Sequence, residues 1–155
     1  MKIAVSACLL GEPCRYDGRS KPCSAVRFLA QSHEIVAICP EVMGGLPVPR
    51  TRSEIQESAQ GVRVVDECGT NRTEPYLKGA QAALTRVQEE GCELAILKAK
   101  SPACGIGEVY DGTFSGKLVQ GSGVAARAFM DAGIKVLDEI ELERILLEND
   151  GKLVI

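Results

Sequence analysis

Four short apolar runs, rich in Val, Ile and Leu, recur along the chain, and each is bounded by Gly, Pro or Cys. They cover residues 2–6, 34–38, 93–98 and 134–137. Continuous apolar runs of this length, bounded by turn residues, are typical of strands buried on both faces of a parallel sheet. The pattern therefore predicts four parallel strands.

Apolar residues at helical spacing lie between these runs. The clearest helix opens at Thr73, with Pro75 in its first turn, and closes at Gly91. Its apolar stripe comprises Tyr76, Leu77, Ala80, Ala83, Leu84 and Val87. This spacing predicts one long amphipathic helix packed against the sheet.

Three further helices follow from capping residues and shorter stripes. A Ser122 cap predicts a helix that ends at Gly133, and Asp138 precedes a helix that buries Leu142, Ile145 and Leu146. Residues 22–31 predict a first crossover helix. Residues 61–68 alternate less clearly and predict an edge strand or hairpin added to the sheet.

The alternation of strands and helices indicates an α/β fold. We expect a single three-layer domain over residues 1–155, with a mostly parallel, Rossmann-like sheet and right-handed crossovers. A chain of 155 residues that is 45% hydrophobic is long enough to bury a proper core in one domain.

The composition of the chain indicates which kinds of molecule the protein binds. The formal net charge of -3 gives no electrostatic attraction for nucleic-acid phosphates, so a small-molecule substrate is expected. The first apolar run is too short to cross a bilayer and leads into a Gly-Glu-Pro-Cys segment without a small-residue cleavage site. We therefore expect a cytoplasmic protein with no membrane or nucleic-acid partner.

The chain contains seven cysteines, an odd number. Disulfide scaffolds belong to oxidising compartments and to small domains that lack a core, and this chain meets neither condition. Three of the cysteines, Cys8, Cys39 and Cys104, each follow a predicted strand. Because the carboxyl ends of parallel strands share one edge of a sheet, these thiols are expected to meet where open α/β folds bind ligands.

Thiolates at such an edge favour a soft metal, namely zinc, Cu(I) or an iron-sulfur cluster. A zinc site usually takes four ligands in close pairs such as C-x-x-C, which this chain lacks, and its one histidine, His33, precedes a strand on a polar turn. Three widely separated cysteines suit a cuboidal cluster with one iron that has no protein ligand. Cys14, in the loop after Cys8, is a candidate fourth ligand.

Polar and cationic residues accompany the cysteines. Glu41 follows Cys39 by two positions, and a carboxylate beside thiolates is suited to proton transfer near neutrality. Ser101 and the glycine amides after Cys104 are suited to hold an anion or the sulfurs of a cluster. We expect further lining of the substrate entrance from Arg15, Tyr16, Arg50 and Arg52.

Two other classes of function stay open at this point. One is a metal-independent enzyme in which the thiolate of Cys39 or Cys104 attacks an electrophile with Glu41 as base. The lack of a well-placed histidine weakens it, because cysteine nucleophiles usually depend on a histidine or a helix terminus. The other is a zinc or cluster module that senses metal or redox state without turnover.

Several motifs in fixed order carry a family resemblance. The segments SACLLG with RYDG, CPE with GGLPVPR, and LKAKSPACG with YDGTFSG span nearly the whole chain. In this order they resemble the thiouracil desulfidase family. The sequence departs from the pattern at SPAC, where SPSC is more usual, and at Cys14, where members often lack a cysteine.

The resemblance implies a 4Fe-4S cluster held by Cys8, Cys39 and Cys104, and it argues against Cys14 as a ligand. It implies that the free iron binds the sulfur of a thiolated pyrimidine such as 2-thiouracil. Glu41 would activate water, and Ser101 would assist proton delivery or substrate orientation. The implied products are the oxo-pyrimidine and sulfide.

Overall fold

The computed structural model describes residues 1–155, and four of its eight strands follow the apolar runs closely. They are β1 (Lys2–Ser6), β2 (Glu34–Ile38), β3 (Ser53–Ser58), β4 (Gly61–Asp66), β5 (Leu94–Leu97), β6 (Glu108–Tyr110), β7 (Leu118–Gln120) and β8 (Lys135–Asp138). The predicted bounds of β1 and β2 are confirmed, and those of β5 and β8 differ by one residue at each end. The strand bounds could be predicted because a buried strand cannot contain turn residues.

Five helices connect the strands. They are α1 (Ser24–Leu29), α2 (Pro40–Met43), α3 (Thr73–Glu89), α4 (Val124–Asp131) and α5 (Glu139–Glu148). A 3-10 turn, Ala7–Leu10, follows β1 directly. The sequence pattern missed this turn and α2, because each has only four residues and shows no helical period. No helix is long and apolar enough to cross a membrane.

The central sheet has four parallel strands in the order β2-β1-β5-β8. This confirms the α/β prediction with a parallel, Rossmann-like sheet. Residues 61–66 form β4, which pairs with β3 in a hairpin, as one of the two predictions for this segment stated. The hairpin is a separate two-stranded sheet, so the prediction that it is added to the central sheet is wrong. A second hairpin joins β6 and β7.

The sheet has helices on both faces, which gives the expected three layers. Ile3 and Val5 of β1 pack with α1 and α5 on one face, in a cluster that includes Val26 and Leu142. Ala4, between them in the sequence, packs with α3 and α4 on the other face. Successive strand side chains point to opposite faces, so strands covered on both sides must be apolar at every position.

The helix ends confirm some capping predictions and correct others. The Asp138 carboxylate accepts a hydrogen bond from the Glu141 amide at 2.8 Å, as an N-cap should. The prediction of a Ser122 cap is wrong: Gly123 is the N-cap of α4, and the Ser122 hydroxyl accepts from the Gly107 amide. Leu77 is 52% exposed, so it lies outside the buried stripe of α3.

The strand order creates the crevice that matters for function. From β1 the chain leaves toward β2, and from β5 it leaves toward β8, on the opposite side. Loops that diverge in this way leave a crevice at the carboxyl edge between the two strands. The first and third candidate cysteines follow β1 and β5, and Cys39 follows the neighbouring β2.

Candidate metal and substrate site

One cavity of about 210 Å³ at the carboxyl edge of the sheet gathers the candidate residues. Cys8 lies in the turn after β1, Cys39 precedes α2 as its N-cap, and Cys104 lies in the loop after β5. All three line the cavity, together with Cys14, Glu41 and Ser101. The structure therefore brings together residues that are up to 96 positions apart, between Cys8 and Cys104.

The thiols influence one another. The Cys39 thiol points to the Cys14 carbonyl oxygen, with a sulfur to oxygen distance of 3.9 Å. Its hydrogen bond with Cys14 and its burial raise the pKa of Cys39 well above the usual range. For Cys14, the interaction with Cys39 lowers the pKa, but the Cys8 thiol and burial outweigh this effect and raise it to about 11.

Cys104 is buried, with only 3% of its surface exposed. Burial, and next the Glu41 carboxylate, raise the pKa of its thiol above the usual range, and the Ser6 hydroxyl offsets this only in part. Without a bound metal, Cys39 and Cys104 are therefore neutral thiols. A metal group that takes them as thiolates must displace their protons when it binds.

The cysteines do not converge on a single point. No three side chains of the His, Cys, Asp or Glu type lie close enough to hold one metal ion. A single zinc ion requires all its sulfur ligands at about 2.3 Å from one centre. A cuboidal cluster takes each thiolate at a different iron, so a dispersed all-thiol set lining one cavity fits a cluster better.

Glu41 lies in the first turn of α2 and is held by one carboxylate oxygen. Its Oε2 accepts from Arg50 Nη2 at 2.8 Å, from Arg50 Nε at 3.3 Å and from the Tyr76 hydroxyl at 3.3 Å. Its Oε1 carries no hydrogen bond. Because Arg50 and Tyr76 both donate to Oε2, the carboxylate is held in one orientation and Oε1 is the oxygen left to accept a proton.

Ser101 is arranged as a donor. Its Oγ accepts from the Ala103 amide at 3.1 Å and from the Cys104 amide at 3.0 Å. A hydroxyl has one proton and two acceptor sites, so two accepted bonds leave the proton to be donated elsewhere. The same two bonds fix the loop that carries Cys104.

The cavity wall is cationic although the chain as a whole is acidic. Its cationic lining residues are Arg15, Arg50, Arg52, Lys98 and Lys100. Arg15, Tyr16 and Arg52, which we expect at a substrate entrance, line the cavity. Arg50 also lines it, but its side chain is only 5% exposed and is paired with Glu41, so it is not an entrance residue.

The sequence pattern missed three polar residues at the site. Tyr76 was assigned to the apolar stripe of α3, although a buried tyrosine needs a partner for its hydroxyl. Ser6 ends β1, and its Oγ accepts from the Lys98 amide at 2.9 Å. Lys98 directly follows β5, and its Nζ pairs with Glu139 at 2.8 Å. The signal for Ser6 and Lys98 was a polar residue at, or directly after, the carboxyl end of a buried strand.

Other residues with metal-binding side chains lie away from the cavity. Cys23 is buried at the start of α1, Cys92 is buried before β5, and Cys68 is exposed in the turn after β4. His33, which we do not expect to bind a metal from its position in the sequence, does not line the cavity.

Comparison with known proteins gives a consistent result. Residues 3–141 match the family model described as 2-thiouracil desulfurase. The chain is 40% identical over 150 residues to the uncharacterized protein YbbK of Bacillus subtilis (strain 168), covering 93% of this chain and 99% of YbbK.

A solved structure is similar over almost the whole fold. It is that of a protein described as 4Fe-4S-dependent thiouracil desulfidase TudS, with a TM-score of 0.84 and 39% sequence identity. The superposition covers 96% of this chain and 97% of that one. The sequence motifs, the parallel sheet and these matches agree, and the chain belongs to the 2-thiouracil desulfurase family.

Proposed function

We propose that this protein is a 4Fe-4S-dependent desulfidase that replaces the sulfur of a thiolated pyrimidine, such as 2-thiouracil, with oxygen from water. The observation that carries the proposal is that three cysteines from separate strand ends line one cavity with Glu41 and Ser101. Family membership and the similarity to TudS point to the same chemistry.

Cys8, Cys39 and Cys104 would hold the cluster through their thiolates. When bound in this way, the cluster supplies a Lewis-acidic iron without a protein ligand, to which a thiocarbonyl sulfur can bind. The remaining thiol, Cys14, contacts Cys39 and Cys8 and stays outside the proposed ligand set.

The other cavity residues account for the water and the protons. Glu41 accepts a proton from water through its free Oε1, so that the oxygen can attack the carbon that carries the sulfur. Ser101 donates its free hydroxyl proton to the substrate or to the departing sulfur. The sum is thiocarbonyl plus water to carbonyl plus hydrogen sulfide, with no net oxidation or reduction.

The cavity also suits the substrate class. Arg15 and Tyr16 lie together, with the guanidinium 5.7 Å from the ring centre, and both line the cavity. An aromatic face and a fixed set of N–H donors are suited to bind a planar ring with carbonyl oxygens. We therefore infer that this pair orients the pyrimidine.

The structure weakens the metal-independent enzyme and the zinc form of the sensing module. A metal-independent cysteine nucleophile needs a thiolate, but burial and neighbouring groups raise the pKa of Cys39 and Cys104. A zinc module needs converging ligands, and no such group of side chains is present.

Protein purified without oxygen tests the proposal directly. We expect bound iron and acid-labile sulfide, and release of sulfide from 2-thiouracil. Glu41→Gln should keep its iron but lose activity by about 100-fold or more, because it removes the general base. The variant Cys68→Ser, outside the cavity, is the matched control for Cys39→Ser, which should lose the cluster. Protein that stays iron-free and inactive after reconstitution would overturn the proposal.

A further inference from the structure

Arg50 is the most highly connected side chain at the site. It donates to the Glu41 Oε2 atom, to the Cys14 carbonyl oxygen at 3.0 Å and to the Pro47 carbonyl oxygen at 3.1 Å. Its own backbone amide donates to the Tyr16 carbonyl oxygen at 2.8 Å. One residue therefore joins the helix that carries Glu41 to the loop that carries Cys14.

These bonds leave Arg50 little capacity to bind a substrate. The side chain is 5% exposed, and its donors are directed at protein oxygens. Burial alone would lower the pKa of the Arg50 guanidinium, but the Glu41 carboxylate beside it and their hydrogen bond raise it above its usual value. The side chain is therefore a permanent cation that faces a carboxylate.

We propose that Arg50 is a positioning residue for Glu41. Its guanidinium holds Oε2 from two nitrogen atoms, with Tyr76 as a third donor, and leaves Oε1 as the oxygen that can accept a proton. The inference rests on the proposed function and deepens it, since it assigns the orientation of the general base to a residue that touches no reacting atom.

The contact with Cys14 extends this role to the cysteine loop. The Cys14 carbonyl oxygen receives both the Arg50 Nη2 donor and the Cys39 thiol. Arg50 thus fixes Glu41 relative to the segment beside the proposed cluster ligands. A fixed distance between the general base and the reacting group increases the reaction rate greatly. Displacement of the base by about 1 Å can lower the rate by about 100-fold.

Kinetics of Arg50→Gln distinguish positioning from substrate binding. We expect kcat to fall by about 100-fold with KM almost unchanged. In the Glu41→Gln background, Arg50→Gln should cause no further loss of kcat, because a residue that acts only through Glu41 has nothing left to position. Arg86→Gln, at an exposed position of α3, is the control and should match the wild type.

Removal of Arg50 leaves a largely buried carboxylate without its partner, so the variant can lose stability for reasons unrelated to catalysis. Tyr76→Phe provides a second variant that removes only the third donor to Oε2. It should lower kcat less than Arg50→Gln, again with no additional effect in the Glu41→Gln background.

Thermal unfolding gives a readout that does not require turnover. Methylguanidinium should raise the melting temperature of full-length Arg50→Ala, because it can fill the vacated space beside Glu41. It should not raise that of Arg50→Ala/Glu41→Gln. If the wild type shows no desulfidase activity but this difference is present, the proposed function fails while the Arg50 contact with Glu41 stands.

Two results would overturn the inference. One is an Arg50→Gln variant whose KM rises while kcat is kept, which would make Arg50 a substrate-binding residue. The other is a loss of kcat from Arg50→Gln that is just as large in the Glu41→Gln background, since that would show an action independent of Glu41.

Discussion

At the scale of single residues, side-chain hydrogen bonds decide which candidates can act. Glu41 and Ser101 were identified by their place in a motif, but the motif does not say which oxygen of Glu41 is free or that Ser101 keeps its proton for donation. Those properties come from Arg50, Tyr76 and the amides after Ser101. For Glu41 these neighbours include Tyr76, which is 35 positions away along the chain.

Ser101→Ala should damage both chemistry and the loop. We expect kcat to fall by about 100-fold, as for loss of one preorganised donor. Two loop amides lose their acceptor, so unfolding in urea should show a loss of about 1–3 kcal/mol. Ser32→Ala, at an exposed position, is the control. Full turnover by Ser101→Ala would show that its hydroxyl takes no part in the reaction.

At the scale of elements, a crossing between two helices places the general base. Gly44 at the end of α2 and Gly79 within α3 lie at the point of closest approach. A Cβ atom at Gly79 would lie 1.8 Å from the Pro40 carbonyl oxygen, far inside van der Waals contact. Glycine at this crossing therefore allows α2 to pack directly on α3, with Glu41 beside Tyr76.

Gly79→Ala tests this crossing because two effects oppose each other. Helix propensity alone would make alanine more stable than glycine by about 1 kcal/mol. The clash with backbone of α2 should dominate, so we expect a net loss of about 1–3 kcal/mol in urea unfolding and a lower kcat as Glu41 is displaced. The control is Gln81→Ala, exposed on the same helix. A more stable, fully active Gly79→Ala would contradict this view.

Prediction from sequence succeeded best for elements whose burial is uniform. The strands β1 and β2 could be bounded because their central positions form a continuous apolar run between polar or turn residues. The hairpin β6–β7 and the helix α2 were missed because they are three or four residues long and partly exposed. The cap of α4 was misassigned because Ser122 bonds to Gly107, a tertiary partner.

At the scale of the whole molecule, the parallel sheet and its strand order bring the thiols together. Cys8, Cys39 and Cys104 belong to three different crossover loops, so a group that binds all three links β1, β2 and β5. A ligand that binds only the folded chain stabilises it, by about 2.7 kcal/mol when its concentration is 100 times its dissociation constant.

The cluster-loaded protein should therefore unfold at a higher temperature than the chelator-stripped protein. Thermal unfolding followed by circular dichroism without oxygen measures the difference. It should vanish in Cys104→Ser, and it should persist in Cys68→Ser, whose cysteine lies outside the cavity. Equal melting temperatures for loaded and stripped wild type would argue against ligation by three separate loops.

The sequence by itself determined the order of the four central strands and of the helices α1, α3, α4 and α5, and it placed three cysteines after strand ends. These follow from local periodicity and from the direction shared by parallel strands. Only the tertiary structure decided that Cys14 lies beside the other thiols and that Arg50 is buried against Glu41. It also decided that the Tyr76 hydroxyl donates to the same Glu41 carboxylate. Such contacts depend on how loops and helices pack across the crevice, and residue spacing along the chain carries no information about that packing.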